Sequence, residues 1–563
     1  MFKKLSSLPG WLIPLALFVG TLAFYIYTLQ PGLAWGDGIR LQREVISAES
    51  FIQAEISNVD FAPDPYPFAR LGVAAWDHPL YVIFGHTLVT ALPMVESLWL
   101  VNLISAVFGA GTIAVLYALL YRHTQSIIAA GFAALSLAVS HTFWWHAATP
   151  EVYTLFAFLL LLTLWFYDTA WQTGRFAPLI GAVFCLGLGL ANHLLAGLAV
   201  PALLLFTVWH WRSKNKVSLR NPVFDGRDQL PTITIRRLIW LAIAFAIGFA
   251  PYWVQLLRLL RTFPLAELLG PAIGTTFFSG SLARTPAALG QSITMYIVFL
   301  FYNFGPFGVG LGLLGWIKGR EVSPRLWRMM LLLYAVYVTF GLVYQVSDQF
   351  AFFMGAHVCW AVGMGLGVAW LERRISRKVR SWIVVGLIVS LVVMPPLYAV
   401  APGLLRSVGM DDSAFGIPQI GTGVRDGLRY YLNPNKRGDH EAEDFGRNVL
   451  ANLPPDALIL AEWYTDTDEY FVLRYYTAVE ELRPDITIEG WPTVDPFQFD
   501  LALSSTLIEQ ALTHRPVYLA SLNSAFYSTA TLSQHTCITP EHNLYRIHFT
   551  RPITETNCLT ISD

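Results

Sequence analysis

Gly32-Leu33-Ala34-Trp35-Gly36-Asp37-Gly38-Ile39-Arg40 follows directly on the first apolar run of the chain, residues 10–29. This acid between two glycines, placed where a membrane helix surfaces, is the stretch around which the rest of the sequence organises. Glycine permits a sharp turn and the close approach of a ligand. A carboxylate at a membrane surface is a candidate base or counter-ion. A plainer reading stands beside it, in which Asp37 caps the helix that follows. The loop closes at Asp77-His78-Pro79-Leu80-Tyr81.

The surrounding composition is that of a polytopic α-helical membrane protein. Of 563 residues, 55% are hydrophobic and only 13% charged, and the mean hydropathy is +0.50. Nineteen Trp and 24 Tyr suit two interfacial belts. No basic stripe on a soluble domain points to nucleic acid. Residues 1–7 are short and basic, and no small-residue cleavage site stands out at residues 30–35, so the first run reads as an uncleaved membrane helix.

A span needs about 20 apolar residues. Runs of that kind fall near 10–29, 97–121, 126–143, 151–170, 177–192, 194–211, 237–257, 288–317, 327–345, 350–371 and 381–402, which predicts about eleven spans. The stretch 80–92 is short and bounded by Pro79 and Pro93, as an interfacial or re-entrant helix would be. Lys3, Lys4, Arg122, the cluster 212–237, the cluster 318–328 and the cluster 373–380 then share one side of the membrane, as positive-inside orientation requires. The opposite, outer face receives the loop 31–96, the connection 141–151, the long loop 258–287, the turn 345–348 and everything after Pro402.

The chain therefore divides into a transmembrane part, 1–402, with its first outer loop at 31–96, and an extracytoplasmic α/β domain, 403–563. In the latter, 457–460, 486–488 and 516–520 read as strands and 468–482 as a helix. Cys185 and Cys359 lie in apolar runs as ordinary buried thiols. Cys537 and Cys558 are spaced to bridge if this domain faces an oxidising compartment. Cysteine spacing of the zinc-site kind is absent from the sequence.

Acids and histidines gather in the outer-face segments: Asp37, Glu44, Asp77 and His78 in the first loop, His141 and His146 around Trp144-Trp145, and Glu151 after Pro150. Asn192-His193 interrupts the apolar sequence between two spans. Ionisable groups at membrane depth are costly and mark sites by default. Each also has a structural reading. Glu151 favours the dipole of its helix, His141 and His146 sit as interfacial residues beside their tryptophans, and Asn192-His193 caps two helices. Arg258, Arg261 and Arg284 read as surface arginines or as a phosphate site. In the C-terminal domain, Asp466 and Asp468 follow a strand, where α/β layers place ligands. Asp466 with Glu469 also fits a capping box, the reading favoured here.

Several phrases together resemble a known family, the protein O-mannosyltransferase-like membrane proteins formerly described by a domain of unknown function. They are Gly36-Asp37-Gly38, His78-Pro79-Leu80-Tyr81, Asn102-Leu103-Ile104-Ser105-Ala106-Val107-Phe108-Gly109, Phe143-Trp144 with Glu151-Val152-Tyr153, and Gly189-Leu190-Ala191-Asn192-His193-Leu194. Asp466-Thr467-Asp468 with Tyr475, Glu480 and Arg483-Pro484-Asp485 adds a C-terminal match. The family follows its aspartate with Ser-Gly-Glu, whereas here Gly38-Ile39-Arg40 leaves that glutamate missing unless Glu44 substitutes. Its diproline-glycine is reduced to Pro79.

The resemblance implies the glycosyltransferase C fold and a lipid-linked sugar donor, a polyprenyl- or dolichyl-phosphate monosaccharide of mannose type, entering from the membrane lipid. The acceptor is a protein or glycan hydroxyl. On this expectation Asp37 is the general base, with partial burial raising its pKa. Glu151 orients the acceptor or stabilises developing charge. Arg40, Glu44, Asp77, His78, His146, Asn192 and His193 line the donor and substrate site, and His78, His193 and a nearby arginine hold the phosphate. Asp466 and Asp468 serve the acceptor. No cofactor is required and metal dependence is open, although Asp37, His78 and Glu151 are all of ligand type. The absence of any Asn-x-Ser/Thr sequon favours a bacterial plasma membrane. A transporter or glycan flippase is the alternative, and predicts ionisable residues near mid-bilayer and Gly/Pro-broken helices in paired halves. A non-catalytic scaffold predicts no clustering of acids and histidines at all.

Overall fold

The computed structural model describes residues 9–47, 78–218, 230–261, 264–265, 282–283, 285–346, 348–417, 419–463, 469–492, 511–522, 536–549 and 558–559. Asp77, Asp466 and Asp468 lie outside these residues.

The N-terminal part is a helical bundle. Its elements are α1 (Leu12–Tyr27), α2 (Asp37–Ser47), α3 (Pro79–Ala91), α4 (Ser97–Thr124), α5 (Ile127–Ala138), α6 (His141–Ala148), α7 (Tyr153–Thr173) and α8 (Phe176–Asn192). After a 3-10 turn, Leu194–Leu198, come α9 (Ala199–Ser218), α10 (Ile235–Gly248), α11 (Ala250–Leu259), α12 (Pro286–Lys318), α13 (Pro324–Val343), α14 (Gln349–Phe352), α15 (Met354–Glu372) and α16 (Arg377–Ser407). Proline at the first turn starts α3, α12 and α13, where its missing N–H would have had no partner anyway. Glu96 caps α4 by accepting from Leu98 N at 2.9 Å and Trp99 N at 2.6 Å.

Among the described residues, six helices are long and apolar enough to cross a membrane, and two bent pairs meet the same test. Four shorter apolar helices, α3 among them, accompany these. The run 126–143, read as one span, is instead broken: α5 and α6 meet at 60° across Val139-Ser140. The segment 141–151, read as a connection, is thus mostly helix, and His141 and His146 are buried in the bundle rather than resting at an interface. A further break falls inside α12, where Gly305 adopts φ +63 directly before Pro306. Proline cannot donate to the helix ladder and glycine tolerates the left-handed turn.

Small residues let the helices approach closely, as membrane bundles require. A methyl group on Gly315 of α12 would collide with the Gly363 carbonyl of α15, and one on Gly248 of α10 with the Phe184 carbonyl of α8. At the end of the bundle remote from Asp37, Asp168 is fully enclosed by Arg122, His123, Arg325 and Gln172, at 3.2, 3.0, 2.8 and 2.7 Å. Helical rise separates Asn102, beside the first loop, from Arg122 by about 30 Å along α4, the thickness of a hydrocarbon core.

Beyond α16 come α17 (Gly427–Leu432), α18 (Glu441–Asn452), β1 (Leu458–Trp463), α19 (Glu469–Arg474), β2 (Thr487–Pro492), β3 (Val517–Leu519), β4 (Thr536–Glu541) and β5 (Leu544–Phe549). The strands form one sheet in the order β2-β1-β3-β5-β4. β1 runs parallel to β2 and β3, and β5 antiparallel to β3 and β4. His542 and Asn543, at φ +54 and +65, make the two-residue turn of the β4–β5 hairpin. Cys537 and Cys558 form a disulfide with Cα atoms 5.2 Å apart. Arg483 of the Arg-Pro-Asp phrase is a structural anchor, donating to the Leu450 and Leu453 carbonyls and to Asp485.

Candidate active site

The turn before α2 is built mainly from main-chain atoms and two buried amides. Asn102 donates to the carbonyls of Gln30 at 2.9 Å and Gly32 at 3.0 Å. Its own carbonyl accepts from Gln42 at 2.8 Å. Gln42 also donates to Gly32 O at 2.9 Å and accepts from Ala34 N at 3.1 Å. Both amides are fully buried, so every one of these bonds is made where water cannot replace it. Gly36 then turns the chain at φ +69, and Asp37 opens α2.

Gly38 is the contact that brings the two acids together. A Cβ there would lie 2.8 Å from Ala34 Cβ and 3.1 Å from Pro150 Cγ, so the Asp37 turn packs directly on the residue preceding Glu151. Glu151 is itself fixed through its main chain, its N–H donating to Ser105 Oγ at 2.9 Å and its carbonyl accepting from that hydroxyl at 2.9 Å.

The two carboxylates occupy opposite environments. Asp37 has a side chain 70% exposed, with Arg40 3.8 Å away. Partial burial of Asp37 was expected and is not found; the residue follows the Gly36 turn at φ +69 and opens α2 with its side chain exposed. Glu151 is the buried one, at 9% exposure. Burial first, then the charges of Asp37 and Asp348, raises its pKa well above the ordinary carboxylate value, and Arg40 opposes this only in part.

His78 donates from Nδ1 to Asn192 O at 2.7 Å, and burial lowers its pKa to about 4. It is therefore the neutral imidazole with its remaining lone pair on Nε2. His193 stacks on it with ring centroids 5.2 Å apart. Its Nδ1 accepts from Leu195 N at 3.0 Å, which leaves Nε2 to carry the proton of the neutral ring. Asn192 donates to Val152 O at 3.0 Å. Tyr153 packs edge-on to His146 at 4.8 Å and tilted against His193 at 5.2 Å, and its hydroxyl donates to Asp348 Oδ2 at 3.3 Å.

The structure thus brings Asp37, Arg40, His78, Glu151, Asn192 and His193 into one neighbourhood. His146 touches it through Tyr153, and Glu44 is buried within the packing of α2. Two members were not singled out from the sequence. Tyr153 was visible as the end of the Glu-Val-Tyr phrase, and Asp348 lies in the turn assigned to the outer face. Among the described residues, no group of three or more His, Cys, Asp or Glu side chains is arranged to hold a metal ion. An apolar groove of about 310 Å³, lined by Leu15, Phe18, Phe108, Phe158 and neighbours, contains none of these acids.

Residues 76–217 match the family model described as the protein O-mannosyl-transferase TMEM260 N-terminal domain. The resemblance read from the sequence is borne out. The protein O-mannosyl-transferase TMEM260 of Mus musculus is 22% identical over 460 residues, covering 74% of this chain and 57% of that protein. The chain thus spans somewhat over half the length of this relative. Among solved structures, ArnT from Cupriavidus metallidurans bound to undecaprenyl phosphate aligns with a TM-score of 0.56 at 13% identity, over 95% of this chain and 97% of that one. Its apo form aligns at 0.53, with 13% identity and the same coverage. At that identity the likeness is one of fold alone. The matched family segment contains His78, Glu151, Asn192 and His193, while Asp37 lies N-terminal to it.

Proposed function

We propose that the chain is a membrane glycosyltransferase that moves a mannose-type monosaccharide from a polyprenyl- or dolichyl-phosphate donor to a hydroxyl acceptor, a protein serine or threonine or a glycan. The observation that carries the reading is the pairing of two carboxylates with opposed environments, held together where Gly38 meets Pro150. Asp37, open to solvent and beside Arg40, takes the acceptor hydroxyl proton. Glu151 keeps its proton and donates a hydrogen bond to the acceptor or to the departing phosphate oxygen. Arg40 and the Nε2–H of His193 face the phosphate. His78, whose free nitrogen is an acceptor, orients the group beside it rather than binding the anion. The sugar–phosphate bond breaks as the sugar–oxygen bond forms, the acceptor proton passes to Asp37, and polyprenyl phosphate leaves.

The name of the mouse relative supports the reaction type, and the undecaprenyl phosphate bound by ArnT supports a lipid-phosphate donor. We place the site and the C-terminal domain on the extracytoplasmic side of a bacterial inner membrane, with about eleven crossings. The Cys537–Cys558 disulfide supports that side, as does the cationic cluster around Asp168 at the other end of the bundle. A flippase would carry ionisable groups near mid-bilayer in paired broken helices. The bent pairs, 127–148 and 235–259, contain no Asp or Glu, and their basic side chains are His141 and His146 in one and arginines in the other.

The test is transfer of radiolabelled mannose from polyprenyl-phosphate mannose to a serine- and threonine-containing peptide by the purified protein. Asp37→Asn is expected to abolish transfer while leaving the protein inserted and monodisperse. Full activity in that variant would remove Asp37 from its role.

A further inference from the structure

The exposed carboxylate of Asp37 is positioned by its backbone turn, and three hydrogen bonds to the chain leading into that turn come from the far end of the sequence. Residues 425–445 cross over it. Three consecutive carbonyls of α17 and its exit accept donors from the bundle. Tyr430 O accepts from Trp145 Nε1 at 3.0 Å, Tyr431 O from His141 Nε2 at 2.7 Å, and Leu432 O from Tyr302 OH at 2.8 Å. The segment then descends beside the first loop, where Lys436 N donates to Thr28 O at 3.0 Å and Asp439 O accepts from Gln30 Nε2 at 2.8 Å. The Phe445 ring lies 5.7 Å from that of Trp35.

One side chain reaches the turn itself. Tyr430 is buried, at 4% exposure, and its hydroxyl donates to Trp35 O at 3.2 Å, two residues before Asp37. Two cations hold Tyr430 in place. The Lys436 ammonium donates to the Tyr430 carbonyl and sits 3.7 Å from the centre of its ring. The guanidinium of Arg425 lies 5.6 Å from the same ring and 6.0 Å from Trp35. Cations over aromatic faces are strongest when desolvated, and Lys436 is 1% exposed, a burial that also lowers its pKa to about 7, so the contact is strongest below neutral pH.

We infer that residues 425–445 form a positioning strap for the carboxylate site, in which Tyr430 fixes the Trp35–Asp37 turn from outside as Asn102 and Gln42 fix it from within. This rests on the glycosyltransferase reading above. The site is then incomplete without the C-terminal segment, although that segment supplies no group to the reaction. An exposed base fits this arrangement. Its carboxylate is 70% exposed and its pairing with Arg40 is 3.8 Å long, so the precision must come largely from the main chain on either side.

Tyr430→Phe removes the single hydroxyl and keeps the ring on which both cations rest. The expected result in the peptide-mannosylation assay is a fall in kcat of about tenfold, with KM for polyprenyl-phosphate mannose and the thermal transition of the purified protein unchanged. The scale is set by the roughly hundredfold loss that a 1 Å misplacement costs. Lys436→Met, which takes the ammonium away from the Tyr430 carbonyl and ring while leaving the phenol hydroxyl in place, is expected to lower kcat in the same direction, and decides the matter if Tyr430→Phe does not fold. Unchanged kcat in a folded variant overturns the inference. So does a loss that only tracks the amount of folded protein, since a purely structural role leaves kcat per folded molecule intact. Failure of the wild type to transfer mannose refutes the glycosyltransferase reading instead, and the two failures are thereby separated.

Discussion

Gly38→Ala tests the contact on which the site depends. The new methyl group would stand 2.8 Å from Ala34 Cβ and 3.1 Å from Pro150 Cγ, where carbon atoms settle at about 3.5–4.0 Å. Neither neighbour can rotate away, one being a bare methyl and the other a proline ring. Relief therefore requires a backbone shift of roughly 0.5–1 Å between the Asp37 turn and the Glu151 segment. Overpacking of this kind costs ~1–3 kcal/mol. Alanine gains back about 1 kcal/mol of helix propensity over glycine, because position 38 lies within α2. The net change in stability is small, a fall of a few degrees in the thermal transition. A displacement approaching 1 Å between two reacting groups, by contrast, costs on the order of 100-fold in rate. The assay pairs mannose transfer with thermal unfolding of the same preparation. Gly32→Ala is the control, since the atoms nearest its methyl would be the carboxyl end of the Glu443 side chain, which can rotate, and activity close to wild type is expected. Wild-type transfer by Gly38→Ala would refute the argument that this contact sets the distance between the acids.

Two further outcomes follow from the same structure. Glu151, its pKa raised by burial and by Asp37 and Asp348, donates only while protonated, so transfer should fall as pH rises through that raised value. Glu151→Gln, a neutral donor that does not titrate, is expected to keep much of the activity and lose the alkaline limb of the pH–rate profile. Glu151→Ala should be inactive at every pH, and a Gln variant as inactive as Ala would remove the hydrogen-bond role. Asp168→Asn leaves two arginines and a histidine around a neutral amide, and breaking such a buried cluster costs ~3–5 kcal/mol. The lower end applies, because Arg122 and Arg325 are 21% and 17% exposed and can rehydrate. Thermal scanning in detergent should show a fall of roughly 5–10 °C with kcat per folded molecule preserved, and an unchanged transition would refute the clamp.

The apolar runs made the helices legible, since about 20 apolar residues have few other uses. The bend between α5 and α6 was not legible, because Val139-Ser140 carries neither proline nor glycine and the hydropathy continues through it. Of the site, the residues that break local rules could be read directly: Asp37 between glycines, Glu151 after proline, Asn192-His193 between apolar runs. Their burial could not. Exposure of Asp37 and enclosure of Glu151 depend on which way one glycine turns the chain and on Ser105, a residue 46 positions away. Tyr430 was hidden most completely. It lies 395 residues from the carbonyl it holds, and no local pattern records a contact of that range.

That asymmetry between the acids has a physical reason. Two carboxylates near each other cannot both be readily ionised, and the one with less water around it keeps the proton. Here the choice goes with main-chain position, Asp37 standing exposed just after the Gly36 turn while the Ser105 hydroxyl holds the backbone of the buried Glu151. Exchanging the residue types would leave the division of roles unchanged, since the environment belongs to the position. Asp37→Glu combined with Glu151→Asp should therefore retain a buried acid with raised pKa at position 151 and a solvated one at position 37. The shorter reach at 151 and the longer one at 37 would alter the alignment with the acceptor, and with it kcat, without inverting which group is the base.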